Sequence, residues 1–435
     1  MVLAINGGTP VRTKPFPAYV TVGEEEKVAL SRVIDSGCLS KYLGAWHPQF
    51  MGGVEVRTLE EEWAEHFGAK HAIAVNSATS GLYCAVGAAG LEPGDEVIVS
   101  PYTMCASATA PIIYSAIPVF ADVEPDCFCL SPSAVEKAIT ERTKAILAVD
   151  LFGQPYDADA INKIAQRHNL LVIEDTAQAP GARLNGRPAG NLADIGVFSL
   201  NYHKHIHCGE GGIIVTDDDE LAERMCLIRN HAEAVMGPKG YTNLANMVGF
   251  NYRMTELEAS VARCQLAKLP RLLEKRVHNA AYLGKALTEI PALTMPTARP
   301  GAEHVYYVHA GLFDEDIASV PRDIFIDAVR AELPCFELRE QEGVKLASGY
   351  VKPLYLQPMF QSRIAFGSQG WPFTASTTDQ VDYSPGRCPV AEELWSKTLF
   401  TQEHMLPSLS EGDMDDVIAA FWKVWEHRSE LPCGG

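Results

Sequence analysis

Between residue 71 and about residue 235, short apolar runs alternate with helical stretches. The runs are "HAIAVN", "DEVIVS", "IPVFADV", "KAILAVD", "LLVIED", "IGVFSL" and "GGIIVTD". Strand–helix alternation of this kind requires a largely parallel sheet covered by helices on both faces. Ligands of such sheets bind beyond the strand C-termini, so the residues directly after each strand carry the functional information.

A chain of 435 residues suits two domains with a large core. We expect an N-terminal arm over 1–22, a large α/β domain over 23–265 and a smaller α+β domain over 266–435. The last contains a polar, glycine-rich excursion at 361–387. The arm is Gly/Pro-rich and should lie on the surface. A helix over "EEEKVALSRVIDSG" should stop near Gly37, and the glycine-studded loop 38–56 follows it. Thr58 and Glu61 have capping-box spacing and predict the start of the next helix. Ser131 reads as the cap, and Pro132 as the first turn, of a helix after the third strand.

The formal net charge of −19 argues against a nucleic-acid groove or an anionic membrane surface as partner. No apolar leader opens the sequence, and no apolar run approaches the ~20 residues of a membrane span. Eleven scattered cysteines read as reduced cytosolic thiols. Cys127 and Cys129 alternate with no second pair nearby, so they do not make a zinc site.

Three strand ends stand out. "VNSATSGL" opens a helix with small hydroxyl residues, an arrangement that can cradle an anion on free N–H groups, with Ser77 and Thr79 as further donors. Taken alone the motif reads better as a plain capped helix, and neither a P-loop nor a GxGxxG is present. "LLVIEDTAQA" ends in Glu174-Asp175, and a carboxylate at the edge of a buried strand needs a cation or donors unless it caps a helix. Lys204 follows the strand "IGVFSL" within "FSLNYHKHIHCGEGG"; alone it would pass for a surface lysine. Together, a phosphate cradle, a buried aspartate and a lysine on one sheet are what pyridoxal 5'-phosphate requires. The lysine forms the Schiff base, and the aspartate keeps the pyridine nitrogen protonated.

From about residue 5 to residue 427 the sequence resembles the DegT/StrS family of sugar aminotransferases. Those have the fold type I, aspartate aminotransferase-like architecture and act as homodimers. The resemblance puts Lys204 at the Schiff-base position and Ser199 at a phosphate-binding serine. "EDTAQAPGA" makes Asp175 the partner of the pyridine nitrogen and Gln178 a donor to the ring hydroxyl. "NSATSGL" matches the phosphate turn at Thr79, with Ala78 where a glycine is usual. "SPYTMCASATA" matches the segment stacking over the ring. Met104 stands there in place of the usual aromatic, and its thioether can pack on a ring face. "GFNYRMTELEA" places Asn251 where the family's asparagine reaches the phosphate of the neighbouring subunit's cofactor. "GYVKPLYLQPMF" and "CPVAEELW" resemble substrate-side and small-domain motifs.

His203, His205 and His207 alternate, so in an extended stretch they would share one face and Lys204 the other. The family needs no metal, and packing around the lysine loop is the role expected of them. The "GEGG" glycines would let the backbone turn tightly back into the sheet.

The resemblance implies a cytoplasmic aminotransferase moving an amino group from glutamate or glutamine to a nucleotide-linked keto sugar in amino-sugar biosynthesis. Lys204 would act as acid and base, and Asp175 would stabilise negative charge on carbon. The alternative acceptor is a keto-cyclitol of the inosose type, the branch that the opening "GGTPVRTKPFP" and the length resemble more. Sugar dehydratases of this fold have histidine where Lys204 stands, and a regulatory binding protein would have no need of a nucleophile. Loops 38–56 and 361–387 are expected to select the acceptor.

Overall fold

The computed structural model describes residues 2–374 and 381–432. Strands β1 (His71–Val75), β2 (Glu96–Val99), β3 (Ile117–Phe120), β4 (Thr143–Val149) and β5 (Leu171–Asp175) are followed by a small hairpin, β6 (Arg183–Leu184) and β7 (Arg187–Pro188). Then come β8 (Ile195–Ser199) and β9 (Gly212–Thr216). The main sheet runs β1-β9-β8-β5-β4-β2-β3. All its pairings are parallel except the two made by β9, which lies antiparallel to both β1 and β8. Two reversals cancel, so β1, β5 and β8 all end on one edge. Apart from the solvent-side starts of β1, β4 and β5, these strands are buried. Such burial explains why they read as continuous apolar runs.

The covering helices of this half are α1 (Glu24–Asp35), α2 (Val54–Phe67), α3 (Ala78–Ala88), α4 (Ala106–Ile113), α5 (Pro132–Ala138), α6 (Ala158–His168), α7 (Asp219–Arg229) and α8 (Ala232–Lys239). The Ser131 cap and Pro132 start of α5 are as expected, and α1 ends at Asp35. The start of α2 is not. It begins at Val54, four residues before Thr58, and its N-cap is Gly53. Its first N–H groups are satisfied from afar: Glu256 Oε1 accepts from Gly53 N (3.1 Å) and Oε2 from Glu55 N (2.8 Å). A carboxylate at a helix N-terminus also meets the positive end of the helix dipole. A Cβ at position 53 would lie 2.5 Å from the Glu256 carboxylate, so a larger residue there would have to push this cap aside.

Glu256 opens α9 (Glu256–Leu287), 32 residues long and held at its own start by a Thr255/Glu258 capping box. Its first part packs with Trp63, Phe67 and Phe198 through Ala259, Ala262 and Leu266. Its last part, Ala280, Leu283 and Leu287, enters a second core. The position 265/266 expected to divide the domains therefore lies inside this helix. Beyond it a four-stranded antiparallel sheet forms in the order β10 (Leu293–Thr294), β12 (His309–Phe313), β14 (Leu399–Gln402), β13 (Leu346–Ser348). A short strand β11 (Ala302–Glu303) pairs with β6.

The N-terminal arm lies on this second unit and is pinned to it. Leu3 and Phe16 are buried in its core, Glu332 accepts from Ala4 N and Val11 N, and Arg12 pairs with Asp413 and Asp416. The excursion at 361–387 lies partly outside the described residues, at 375–380. The rest has no long element, yet Phe373, Val381 and Tyr383 join Phe360 in the main core, packed against Phe120. Glu256→Ala is expected to strand two buried N–H groups at a cost of about 1–3 kcal/mol each, read as a lowered thermal midpoint.

Candidate active site

Asp175 is the last residue of β5 and is 5% exposed. Its Oδ2 accepts from Ser107 Oγ (2.8 Å) and its Oδ1 from Ala177 N (3.2 Å). Among the described residues no cationic side chain is ion-paired with it. Burial lifts its pKa above the ordinary carboxylate range, while Ser107, the Ala177 N–H and the charge of Lys204 act in the opposite direction.

Lys204 approaches from the loop after β8. That loop is a turn: Asn201 O accepts from Lys204 N (2.9 Å), and Asn201 Oδ1 from His203 N (3.2 Å). The Lys204 ammonium nitrogen lies 4.4 Å from the centroid of the Tyr307 ring. Burial lowers its pKa, with Tyr350 and Asp175 opposing. A lysine held in this way keeps more of its amine in the neutral, nucleophilic form.

The histidines do not share a face, because the segment is turned and not extended. His203 Nδ1 accepts from Arg339 Nη2 (3.0 Å). His205 is fully buried and donates from Nε2 to Val305 O (3.1 Å). Its ring also lies 5.8 Å from that of Tyr307, so Lys204 and His205 reach the same tyrosine. Burial lowers the pKa of all three histidines. Among the described residues no group of three or more His, Cys, Asp or Glu side chains is arranged to hold a metal ion.

The third strand end opens α3 at Ala78 and Thr79. First-turn N–H groups of a helix have no intrahelical acceptor and point outward along the axis. Ser77 caps the helix, accepting from Ser80 N (3.0 Å), and its hydroxyl is paired with that of Ser80 (2.9 Å). It is thus engaged as a cap, and Ala78 and Thr79 are left to meet an anion. Ser199 pairs in register with Gly212 of β9. A Cβ at Gly212 would lie 2.6 Å from Ala78 N, so this glycine lets the β8/β9 ends and the cradle approach each other.

Gln178 is buried. Its Oε1 accepts from Phe152 N (2.8 Å) and its Nε2 donates to the Tyr350 hydroxyl (3.2 Å). Burial pushes the Tyr350 phenol up to about 12. Two expected residues stand apart from this buried set. Met104 is 60% exposed. Asn251 is exposed too, and its Oδ1 accepts from Arg253 Nε (2.7 Å). Its segment nevertheless runs beside the cradle, since Asn76 N donates to Tyr252 O (2.9 Å).

Ser107, Tyr307 and Tyr350 were not singled out by the sequence. Tyr350 sits within the quoted "GYVKPLYLQPMF", and Ser107 is a hydroxyl in the first turn of a mostly apolar helix. These were the available signals.

A buried carboxylate with donors but no cation, facing a desolvated lysine on a neighbouring strand end, fits a protonated ring nitrogen on one side and an aldehyde on the other. The open helix N-terminus fits a phosphate. Fold and site together define a pyridoxal-phosphate-dependent aminotransferase. The DegT/DnrJ/EryC1/StrS aminotransferase family model matches residues 44–422, and the chain belongs to that family. It is 33% identical to the L-glutamine:2-deoxy-scyllo-inosose aminotransferase of Streptomyces kanamyceticus, over 99% of this chain and 98% of that protein. An aminotransferase of Psychrobacter cryohalolentis superposes with a TM-score of 0.78 at 30% identity, covering 95% of this chain and 99% of the other. DesI, crystallised in the presence of its TDP-sugar product, gives a TM-score of 0.78 at 26% identity, over 98% and 97% of the two chains.

Ser107→Ala removes a hydrogen bond to a charged group, worth about 1.5–3 kcal/mol. The rate at which the amino donor converts the cofactor should fall about tenfold or more, followed by single-turnover absorbance; an unchanged rate would mean that Ser107 does not hold Asp175.

Proposed function

We propose that the chain transfers the amino group of glutamine to a keto-cyclitol of the inosose type. The observation that carries transamination is Lys204, desolvated beside Asp175 at neighbouring strand ends. The acceptor reading is supported by a relative that covers nearly the whole chain, arm included, and is named for glutamine and 2-deoxy-scyllo-inosose. The sequence alone favoured a nucleotide-linked keto sugar, and that remains the second reading because DesI, of the same fold, was crystallised with a TDP-sugar product.

Pyridoxal 5'-phosphate supplies an electron-accepting ring and an aldehyde. Lys204 would bind that aldehyde, be displaced by the donor amine, and then carry a proton at Nζ between the two carbons of the transfer. Asp175 would hold the ring nitrogen protonated and Gln178 would donate to the ring hydroxyl. Ala78, Thr79 and Ser199 would hold the phosphate, and Met104 would lie over the ring face.

We infer further that the enzyme is a cytoplasmic homodimer. Ten cysteines among the described residues are free thiols, as a reducing compartment would keep them. No described helix is long and apolar enough to cross a membrane. Asn251 pairs with Asn230, which donates from Nδ2 to Leu43 O (3.0 Å). Leu39, Leu43, Trp46, Leu244 and Val248 are exposed along these same segments, an apolar surface of the kind that a second subunit covers.

Aminocyclitols, amino sugars and their nucleotide-linked forms, each offered to the aldehyde form of the enzyme, test the acceptor class. A 2-deoxy-scyllo-inosamine should convert the cofactor to its amine form, with no conversion by Lys204→Ala. Conversion by a nucleotide-linked amino sugar alone would establish the second reading. The shared site is tested by co-refolding Lys204→Ala with Asn251→Asp. Under closed two-fold symmetry about half of the dimers are mixed and one site in each is intact, so about a quarter of sites should recover. No recovery, with heterodimers shown by tagged pull-down and Asn251→Asp alone impaired, would place Asn251 on its own subunit's cofactor.

A further inference from the structure

Directly behind Asp175, at the ends of β4 and β5, two acidic side chains are fully buried: Asp150 and Glu174. Neither forms an ion pair among the described residues. The two carboxyl groups lie within hydrogen-bond reach of each other, and the Thr176 hydroxyl beside them is hydrogen-bonded to Asp150 Oδ2 and 3.4 Å from Glu174 Oε1. One hydroxyl proton cannot serve two carboxylates, and two adjacent buried carboxylates without a cation cannot both ionise.

The remaining donors decide where the extra proton sits. Glu174 receives a backbone N–H on each oxygen, from Gly190 at 2.7 Å and Leu192 at 2.9 Å. It is built as an anion. Asp150 receives one, from Tyr156 N to Oδ1 at 2.9 Å, and among the described residues its Oδ2 has no backbone donor.

We propose that Asp150 is protonated and that a directed relay runs from Asp150 through the Thr176 hydroxyl to an ionised Glu174, with all three acting as positioning residues for Asp175. The proton on Asp150 Oδ2 is donated to Thr176 Oγ1, and the Thr176 proton to Glu174 Oε1. Every buried oxygen is then satisfied and the site carries one negative charge. The relay grips the residues on both sides of Asp175. Asp150 N donates to the Asp175 carbonyl (3.0 Å) and Thr176 N to Val197 O of β8 (2.9 Å), while Glu174 ties in the loop at 190–192.

Tyr156 faces both members of the pair and Cys129 faces Asp150, while Asp194 and Arg187 act on Tyr156 and Arg299 on Cys129. Burial and the charge of Glu174 hold the Asp150 pKa well above that of an unfolded aspartate. Its contribution to stability is therefore complete below the unfolded pKa and is lost as pH rises toward the folded one, because the native state binds the extra proton.

The proton assignment does not depend on which acceptor the enzyme uses, and the test reads it without an activity assay. Holoenzyme, Asp150→Asn and Glu174→Gln are unfolded at equilibrium between about pH 5 and about pH 8. The amide of Asp150→Asn mimics the protonated acid, so this variant should gain on the parent as pH rises, by up to about tenfold in the folding constant per pH unit. Glu174→Gln sets an amide NH2 against a backbone N–H and should be the weaker fold throughout. The infrared band of a buried protonated carboxyl should be present in the parent and absent from Asp150→Asn. For positioning, Thr176→Val breaks the relay at nearly constant shape and should shift the pH titration of the cofactor's visible absorbance. The inference is overturned if Glu174→Gln is the milder change and removes the pH-dependent difference, if the band survives in Asp150→Asn, or if Thr176→Val leaves the titration in place. Should Glu174→Gln fail to accumulate, Asp150→Asn and the infrared band decide.

Discussion

A parallel strand covered on both faces can offer a polar group to a ligand only where it ends, and the chemistry of this protein is arranged by that constraint. Asp175 closes β5, Ser199 closes β8 and Asn76 follows β1. Strand β9 inserts antiparallel between β1 and β8, yet leaves both pointing the same way. The cradle, the carboxylate and the lysine loop therefore meet at one edge without any of their side chains crossing the core.

That edge holds its charges at a cost. Asp175 is buried with a hydroxyl and an N–H as its only hydrogen-bond donors among the described residues, and Lys204 is desolvated against Tyr307. Each group has lost water without gaining a full partner, the condition under which a bound cation at one and an electrophile at the other become favourable. The neighbouring Glu174 shows the contrasting case, a buried carboxylate with a backbone N–H on each oxygen. Two consecutive acids in one strand thus differ in availability because their side chains leave opposite faces of the sheet.

Much of this was legible in the sequence because it is local. Apolar runs gave the strands, and the residues just past them gave Asp175, Lys204 and the helix start at Ala78. What was not legible is carried by long-range contacts. The start of α2 is set by Glu256, about two hundred residues away in the chain, so the local Thr58/Glu61 pattern pointed to the wrong turn. Tyr350 reaches Gln178 from the other unit, and no spacing rule joins them. The histidine stretch misled for another reason. Alternation implies a shared face only if the backbone is extended, and the Asn201 side chain bends it into a turn. Ser77 was legible as a hydroxyl at a helix start, but only the pairing with Ser80 shows that it serves the helix and not a ligand.

Helix α9 has a consequence for anyone recombining this chain with its relatives. At 32 residues it is about 48 Å long, and it begins by capping α2 and ends inside the second core. A crossover at the apparent domain boundary, 265/266, would join two half-helices of different parentage and would transmit any mismatch in their axes to Gly53 at one end and to Leu287 at the other. Chimaeras keep the helix as one inherited piece if the exchange points fall before Thr255 or after Thr288. The exchange point is therefore set by the helix and not by the boundary that composition marks out, and a crossover before Thr255 must also bring a residue that caps α2 as Glu256 does.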